Sequence, residues 1–197
     1  MICELDASSI HLHELARFIV IEYYQHHEGK SYNKIFDNEI NELCSEETLF
    51  SEHSSYFVAY NTEKQMIGLI RLMRWDRKFK LPVQKIFGVN PLDAIEKIKD
   101  NSTVWHIGRF VVCRSKGITN FTLFKQLMIY ALTPVYGNID DIIIAECDSK
   151  LIRGLTALGF KFNFLGKSQY YIGSETFPIY LTHSGFSDFF EKYKGLV

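Results

Sequence analysis

The chain has 197 residues, 47% of them hydrophobic, and a net charge of −1. That is ample core material for a single domain over 1–197, and the near-neutral balance gives no reason to expect nucleic acid as the main partner. The four cysteines, Cys3, Cys44, Cys113 and Cys147, show no CxxC pair, which argues against a zinc knuckle, another metal site or a disulfide framework and for free thiols in a reducing compartment.

The opening "MICELDASSIHLHELARF" lacks the basic start and unbroken apolar core of a signal peptide. No apolar run approaches the ~20 residues needed to span a bilayer, so the chain reads as soluble and cytoplasmic. Leu12, Leu15, Phe18, Ile19 and Tyr23 recur at helical spacing after Ser8 and Ser9, two candidate N-caps. The polar stretch 28–55 reads as a short helix among loops. "YFVAY" and "MIGLIRLMRW", joined by "NTEKQ", give a hairpin. "DRKFKLPVQKIFGVNPLD" reads as a loop, and "PLDAIEKIKD" as one short helix.

"VWHIGRFVV" (104–112) is β-rich and reads as a central strand. In "NFTLFKQLMIYAL", Phe121, Phe124, Leu127, Met128 and Ala131 share a helical face. "DDIIIAEC" is a short β-branched strand, and "SKLIRGLTALGF" a helix stopped by Gly159. "YYIG" and "PIYLTH" read as late strands, and "SDFFEKY" as a terminal helix. The order predicts an α/β protein: a mixed sheet with at least one crossover and helices on both faces.

Between the strand 104–112 and the next helix stands "RSKGIT" (114–119). A tight strand-to-helix turn aims the free N–H groups of the first helical turn back into the loop, where they favour an anion. Gly117 admits a close approach of phosphate to the backbone, and Arg114 and Lys116 add positive charge. The bland reading is an ordinary turn with solvated cations.

Arg114 and Gly117, followed later by Leu158-Gly159-Phe160, resemble the [RQ]-x-x-G-x-[GA] loop and L-G-F helix end of the GNAT N-acyltransferases. Thr119 stands where that family prefers Gly or Ala. A narrower resemblance covers about residues 56–181. "KLPV", "WHIGRFVV" and "ALGF…LG…YIG…FPIYL" look like the acyl-homoserine-lactone synthases and the long-chain N-acyl amino acid synthases. The resemblance implies a GNAT-like twisted sheet and an acyl thioester co-substrate, acyl-CoA or acyl carrier protein. It also implies a small amine, such as an amino acid, as acceptor. The donor's phosphates would lie on the loop formed by Phe110, Val111, Val112, Arg114, Lys116, Gly117, Ile118 and Thr119, with an oxyanion donor among the N–H groups of Phe110 to Val112.

His106 stands where the narrower family carries an acid and is the sequence's best general base; the alternative is a packed strand histidine. Arg109 falls on the opposite face of an ideal strand unless a bulge intervenes, and either orients the acceptor or pairs with Glu146. Glu146, at the end of its strand, is a second candidate base, while Cys147 has no histidine near it in sequence to activate it. Leu155 replaces the tyrosine acid of many GNAT acetyltransferases, which favours a fatty acyl donor over acetyl. The aromatic surplus would line its tunnel, with Phe110, Val112, Ile142, Ile144, Phe121, Phe124 and Leu155 nearest the thioester. The five cations of "RLMRWDRKFKLP", together with Lys116 and Lys125, would receive acyl carrier protein. Two rivals remain: a GNAT acetyltransferase using acetyl-CoA, and a non-catalytic module that binds acyl thioesters.

Overall fold

The computed structural model describes residues 1–6, 11–27, 36–115, 118–171 and 174–197, with 26, 27, 114, 115, 118 and 119 as backbone alone. The chain runs β1 (Ile2–Leu5), α1 (Leu12–His27), α2 (Phe36–Phe50), then the hairpin β2 (Ser54–Tyr60) and β3 (Met66–Arg74). Two short helices, α3 (Pro82–Phe87) and α4 (Pro91–Ala94), lead to β4 (Val104–Val112). A two-residue ladder, β5 (Arg114–Ser115) on β6 (Ile118–Thr119), precedes α5 (Phe121–Tyr136). Then come β7 (Ile142–Asp148), α6 (Ser149–Ala157), β8 (Asn163–Phe164), β9 (Gln169–Tyr171), β10 (Ser174–Thr182) and α7 (His183–Tyr193).

Among the described residues the main sheet holds eight strands in the order β1-β2-β3-β4-β7-β10-β8, with β9 also on β10. Its pairs are antiparallel except β4 and β7, which run parallel and are joined through α5. Helices α5, α6 and α7 cover one face, where Leu72, Ile107, Ile143 and Ile179 meet Leu127, Leu132 and Phe186. Helices α1 and α2 and the segment around α3 cover the other, over Tyr56, Leu69, Met73 and Ile144. This is the mixed α/β sheet that the order of elements implied.

The differences have local causes. Helix α2 is a full 15 residues because Phe36, Ile40, Glu47 and Phe50 keep one buried stripe; an acid in that stripe hides it from a hydrophobicity reading. Strand β1 is only four residues long and carries too short a pattern to read. The loop after β3 contains α3, started by Pro82, capped by Gln84, whose side-chain Oε1 accepts from the Leu81 N–H, and stopped at Gly88 with φ +68. The helix expected over 91–100 stops at Ala94. Gly159, at φ +89, ends the last turn after α6 as its position implied.

Two irregularities of β4 shape a cleft. Leu69 pairs with Val111 and Arg71 with Gly108, so Ile70 faces both Arg109 and Phe110. This is a β-bulge, and Arg109 sits at φ +55, in the left-handed region costly for a residue with a Cβ. Farther back, β4 pairs with β7 only from Val104–Ile142 to His106–Ile144. Beyond His106 the two strands part, and a cleft opens between them.

Candidate active site

The cleft passes between the parted strands and has two unlike walls. Toward α5 and α6 it is lined by Met128, Leu132, Ile143, Leu155, Phe160 and Leu181. Toward α1 and α2 it is lined by Tyr23, Glu46, Arg71, His106, Arg109 and Glu146, with Tyr171 from β9. Strand alternation creates the division: Ile143 and Ala145 point one way and Glu146 the other.

The polar wall is a connected, buried network. Glu47 and Arg71 are fully buried, and Arg71 Nη1 donates to Glu47 Oε1 at 2.7 Å. Tyr56 donates its hydroxyl to Glu47 Oε2 at 2.8 Å. Arg71 Nη2 lies 3.0 Å from His106 Nδ1, and His106 Nε2 lies 2.8 Å from Glu146 Oε2. His106 itself is 1% exposed. The bulge turns Arg109 onto this same side, where Nε donates to Glu47 Oε1 at 2.7 Å and Nη2 to Glu46. Two polar atoms of the network are buried with no hydrogen-bond partner among the described residues, Arg71 Nε and Glu146 Oε1. Gly108 is required beside them, since a Cβ there would come within 2.8 Å of His106 Cε1.

The network sets the charge of its members. Burial alone would raise the Glu47 carboxyl, but Arg71, Arg109 and the hydrogen bonds from Arg109 and Tyr56 outweigh it and bring it down to about 2. Burial would likewise lower the Arg109 guanidinium, yet Glu47 and Glu46 hold it above its ordinary value. Tyr23 is pushed up to about 12 by burial, against the pull of Arg109, and Tyr171 is raised for the same reason. Burial raises the Cys147 thiol as well, with Glu146 and Asp148 adding to it. It stays protonated, which suits packing and not nucleophilic attack.

The structure thus brings His106, Arg109 and Glu146 to one wall of one cleft. Arg109 pairs with Glu46 and Glu47 of α2, not with Glu146. Phe110 lines the cleft, stacked edge-on against Phe124 with centroids 4.7 Å apart. Val111 and Val112 are buried in opposite faces of the sheet. Of the expected donor loop, Arg114, Ile118 and Thr119 are seen as backbone in the β5–β6 ladder, and Lys116 and Gly117 lie outside the described residues. Ser8 and Ser9, the expected N-caps, lie outside them too.

Two expectations fail on strand parity. Ile142 and Ile144 pack on the charged side with Met73 and Val104, so the apolar wall takes Ile143 and Ala145 instead. Phe121 is exposed at the helix start and does not reach the cleft. Of the five cations expected on one surface, Arg71 is at the centre of the buried network; Arg74, Arg77, Lys78 and Lys80 are exposed. Arg71 and Glu47 are the residues of this network that the sequence reading missed. Their signal is a single cation or acid inside an otherwise apolar stripe: Arg71 between Leu69 and Met73 on one strand face, Glu47 between Ile40 and Phe50 on one helix face.

No family model matches the sequence, and no curated protein is similar to it. Solved structures are. FeeM, an N-acyl amino acid synthase from uncultured soil microbes, is 15% identical, with 95% of this chain and 98% of that chain covered at a TM-score of 0.63. The fold is GNAT-like. BjaI, a CoA-dependent acyl-homoserine lactone synthase solved with SAM and isopentyl-CoA, is 15% identical over 98% of this chain and 89% of its own, at 0.58. An acetyltransferase of the GNAT family from Staphylococcus aureus Mu50 is 14% identical over 93% and 98%, at 0.54. At these identities the likeness concerns the fold, and it includes the branch that "WHIGRFVV" and the L-G-F end resemble. No helix among the described residues is long and apolar enough to cross a membrane.

Proposed function

We propose that the chain is an N-acyltransferase that moves a fatty acyl group from a thioester, on CoA or on acyl carrier protein, to a small amine such as an amino acid. One observation carries this reading: the parted strands β4 and β7 open a cleft with a buried apolar wall on one side and a buried proton-accepting network on the other. Acyl transfer to an amine needs both, a place for the chain and a place for the proton. The β4–β7 ladder ends at His106–Ile144 and the cleft begins there, so the β4 backbone that borders it, near Phe110 to Val112, is where an oxyanion donor would act. The turn from Arg114 to Thr119, ahead of α5, is where the donor's phosphates would lie. Asn120 caps that helix, its side chain accepting from the Leu123 N–H at 3.0 Å.

The amine loses its proton to the His106–Glu146 pair, while Arg109, held by Glu46 and Glu47, faces the acceptor. The acidic surface of a carrier protein would be met by the exposed cations Arg74, Arg77, Lys78 and Lys80.

The chain length of the donor is the test. Each buried methylene is worth about 0.8 kcal/mol, so eight carbons beyond acetyl give about 6 kcal/mol at most, and a third of that still favours decanoyl more than tenfold. Thiol release should be compared across acetyl, octanoyl and palmitoyl donors, each on CoA and on carrier protein, with a panel of amino acids. Octanoyl or palmitoyl is expected to exceed acetyl more than tenfold in kcat/KM. Acetyl-CoA as the best donor would make the chain an acetyltransferase. Tight donor binding with no thiol release would make it a binding module.

A further inference from the structure

The polar wall divides the labour between His106 and Glu146, if the chain is the acyltransferase proposed above. A guanidinium can only donate hydrogen bonds. Because Arg71 Nη2 sits 3.0 Å from His106 Nδ1, Nδ1 must accept, and the ring proton belongs on Nε2. From there it is donated to Glu146 Oε2 at 2.8 Å. Both ring nitrogens are then engaged, and the ring is 1% exposed. His106 has no lone pair to offer the cleft. Glu146 has one: Oε1 is buried without a hydrogen-bond partner among the described residues, on a residue that lines the cleft.

A buried carboxylate oxygen without a donor carries an uncompensated desolvation cost. Such a group calls for an explanation, and a substrate N–H that supplies the missing donor is one. The rest of the network holds it in place. Glu47 balances the charge of Arg71, and Gly108 leaves room for the imidazole that a Cβ would displace. A one-nitrogen shift of the ring proton would set two lone pairs, Nε2 and Oε2, against each other and turn Glu146 away.

We propose that Glu146 Oε1 accepts the proton of the acceptor amine, and that Arg71 is a positioning residue that fixes the His106 tautomer and so aims that oxygen. The acceptor ammonium gives one proton to Glu146, and its freed lone pair forms the C–N bond to the thioester carbon. The C=O pair moves onto oxygen and returns as the C–S bond breaks. The thiolate leaves with the bonding pair and takes the second amine proton. The proton on Glu146 passes to solvent, so one ammonium and one thioester give one amide, one thiol and one proton.

The test compares three variants of the full chain in a thiol-release assay with octanoyl thioester and the best amine of the panel. Glu146→Gln keeps the shape and removes the acceptor; kcat should fall by on the order of 10²-fold with donor KM unchanged. His106→Gln keeps an N–H toward Glu146 and cannot serve as a base; its kcat should fall less than about tenfold. Arg71→Lys keeps the charge against Glu47 and loses the fork that reaches the ring; kcat should fall about tenfold, again without a change in donor KM. Nitrogen-15 spectra of the wild-type histidine ring should show the proton on Nε2, and Arg71→Lys should add an Nδ1–H population. A large loss in His106→Gln with a mild one in Glu146→Gln overturns the assignment, as does a wild-type ring protonated at Nδ1. If the wild type releases no thiol from any donor, the acyltransferase reading falls by itself, and the ring spectrum still decides the positioning role.

Discussion

Strands β3, β4 and β7 face helices on both sides, and the two sides are held by different physics. Toward α5 and α6 they present Leu72, Ile107 and Ile143, which pack against Leu127, Leu132 and Leu155. Toward α1 and α2, one residue along, they present Arg71, His106 and Glu146. The apolar side sums many small, interchangeable contacts, so loss of one methylene costs little. The charged side has few contacts, and each depends on a specific partner. Removing one member leaves the next uncompensated in a dry site, where the penalty is large. The bulge at Arg109–Phe110 sharpens the contrast, since it moves Arg109 to the charged side and Phe110 to the apolar one.

The largest break in this contrast is at Glu47. Glu47→Ala would leave the fully buried Arg71 without its carboxylate, since the neighbouring Glu46 pairs with Arg109 and Lys85. A loss of 3–5 kcal/mol is expected from the urea midpoint, more than for a deletion of similar size on the apolar side. The same residue governs the acid limb. Its folded value of about 2 lies below the unfolded 4.5, so the folded state binds fewer protons in this window. The stabilisation, about 3 kcal/mol for a shift of this size, is complete above pH 4.5 and is lost as pH falls toward 2. Glu47→Gln should flatten that limb; an unchanged slope would mean that Glu47 is not held by the two arginines.

The sequence made the apolar side far easier to read than the charged one. Helix α5, strand β7 and the Gly159 stop are local patterns: a wide apolar stripe, a β-branched run, and a glycine where φ is +89. His106, Arg109 and Glu146 were legible as candidate site residues because they stand at a strand centre and a strand end in a resembling motif. Their relations were not. Whether Arg109 faces His106 depends on one extra residue in β4, and a bulge leaves no trace in hydrophobic alternation. Arg71 and Glu47 were hidden for the opposite reason: each is a charge in a buried stripe, stabilised by a partner 24 residues away, and no local pattern reports such a pair.

A middle-sized test lies on the apolar wall. Ile143 is 1% exposed and lines the cleft one residue from the charged side. Ile143→Val removes a single methylene, and should cost about 1 kcal/mol in unfolding free energy. The freed space lies along the proposed acyl path, so turnover should shift toward the longer donor while the acetyl rate holds. A loss of more than about 3 kcal/mol would mean that this side is as unforgiving as the other.

The smallest expected effect falls at the rim of the charged side, where the same chemistry meets water. Lys85 Nζ lies 3.4 Å from Glu46 Oε1, with its side chain 41% exposed, and 5.1 Å from the Phe50 ring centroid. Glu46 is shared, since it also holds Arg109, so Lys85 is its second cation and not its only one. Exposed pairs of this kind give about 0.2–1 kcal/mol, and fixing a long lysine chain offsets part of it. Lys85→Ala should therefore shift stability by less than about 0.5 kcal/mol, and the shift should shrink further in 1 M salt, where screening reaches only about 3 Å. Both readings come from urea titrations at low and high salt. If burial of the partner, and not the mere presence of an ion pair, is what makes Glu47 costly to remove, this substitution must stay small. A loss at Lys85 comparable with that at Glu47 would put the source of stability in the total charge of the α2 edge instead of in the dry Glu47–Arg71 contact.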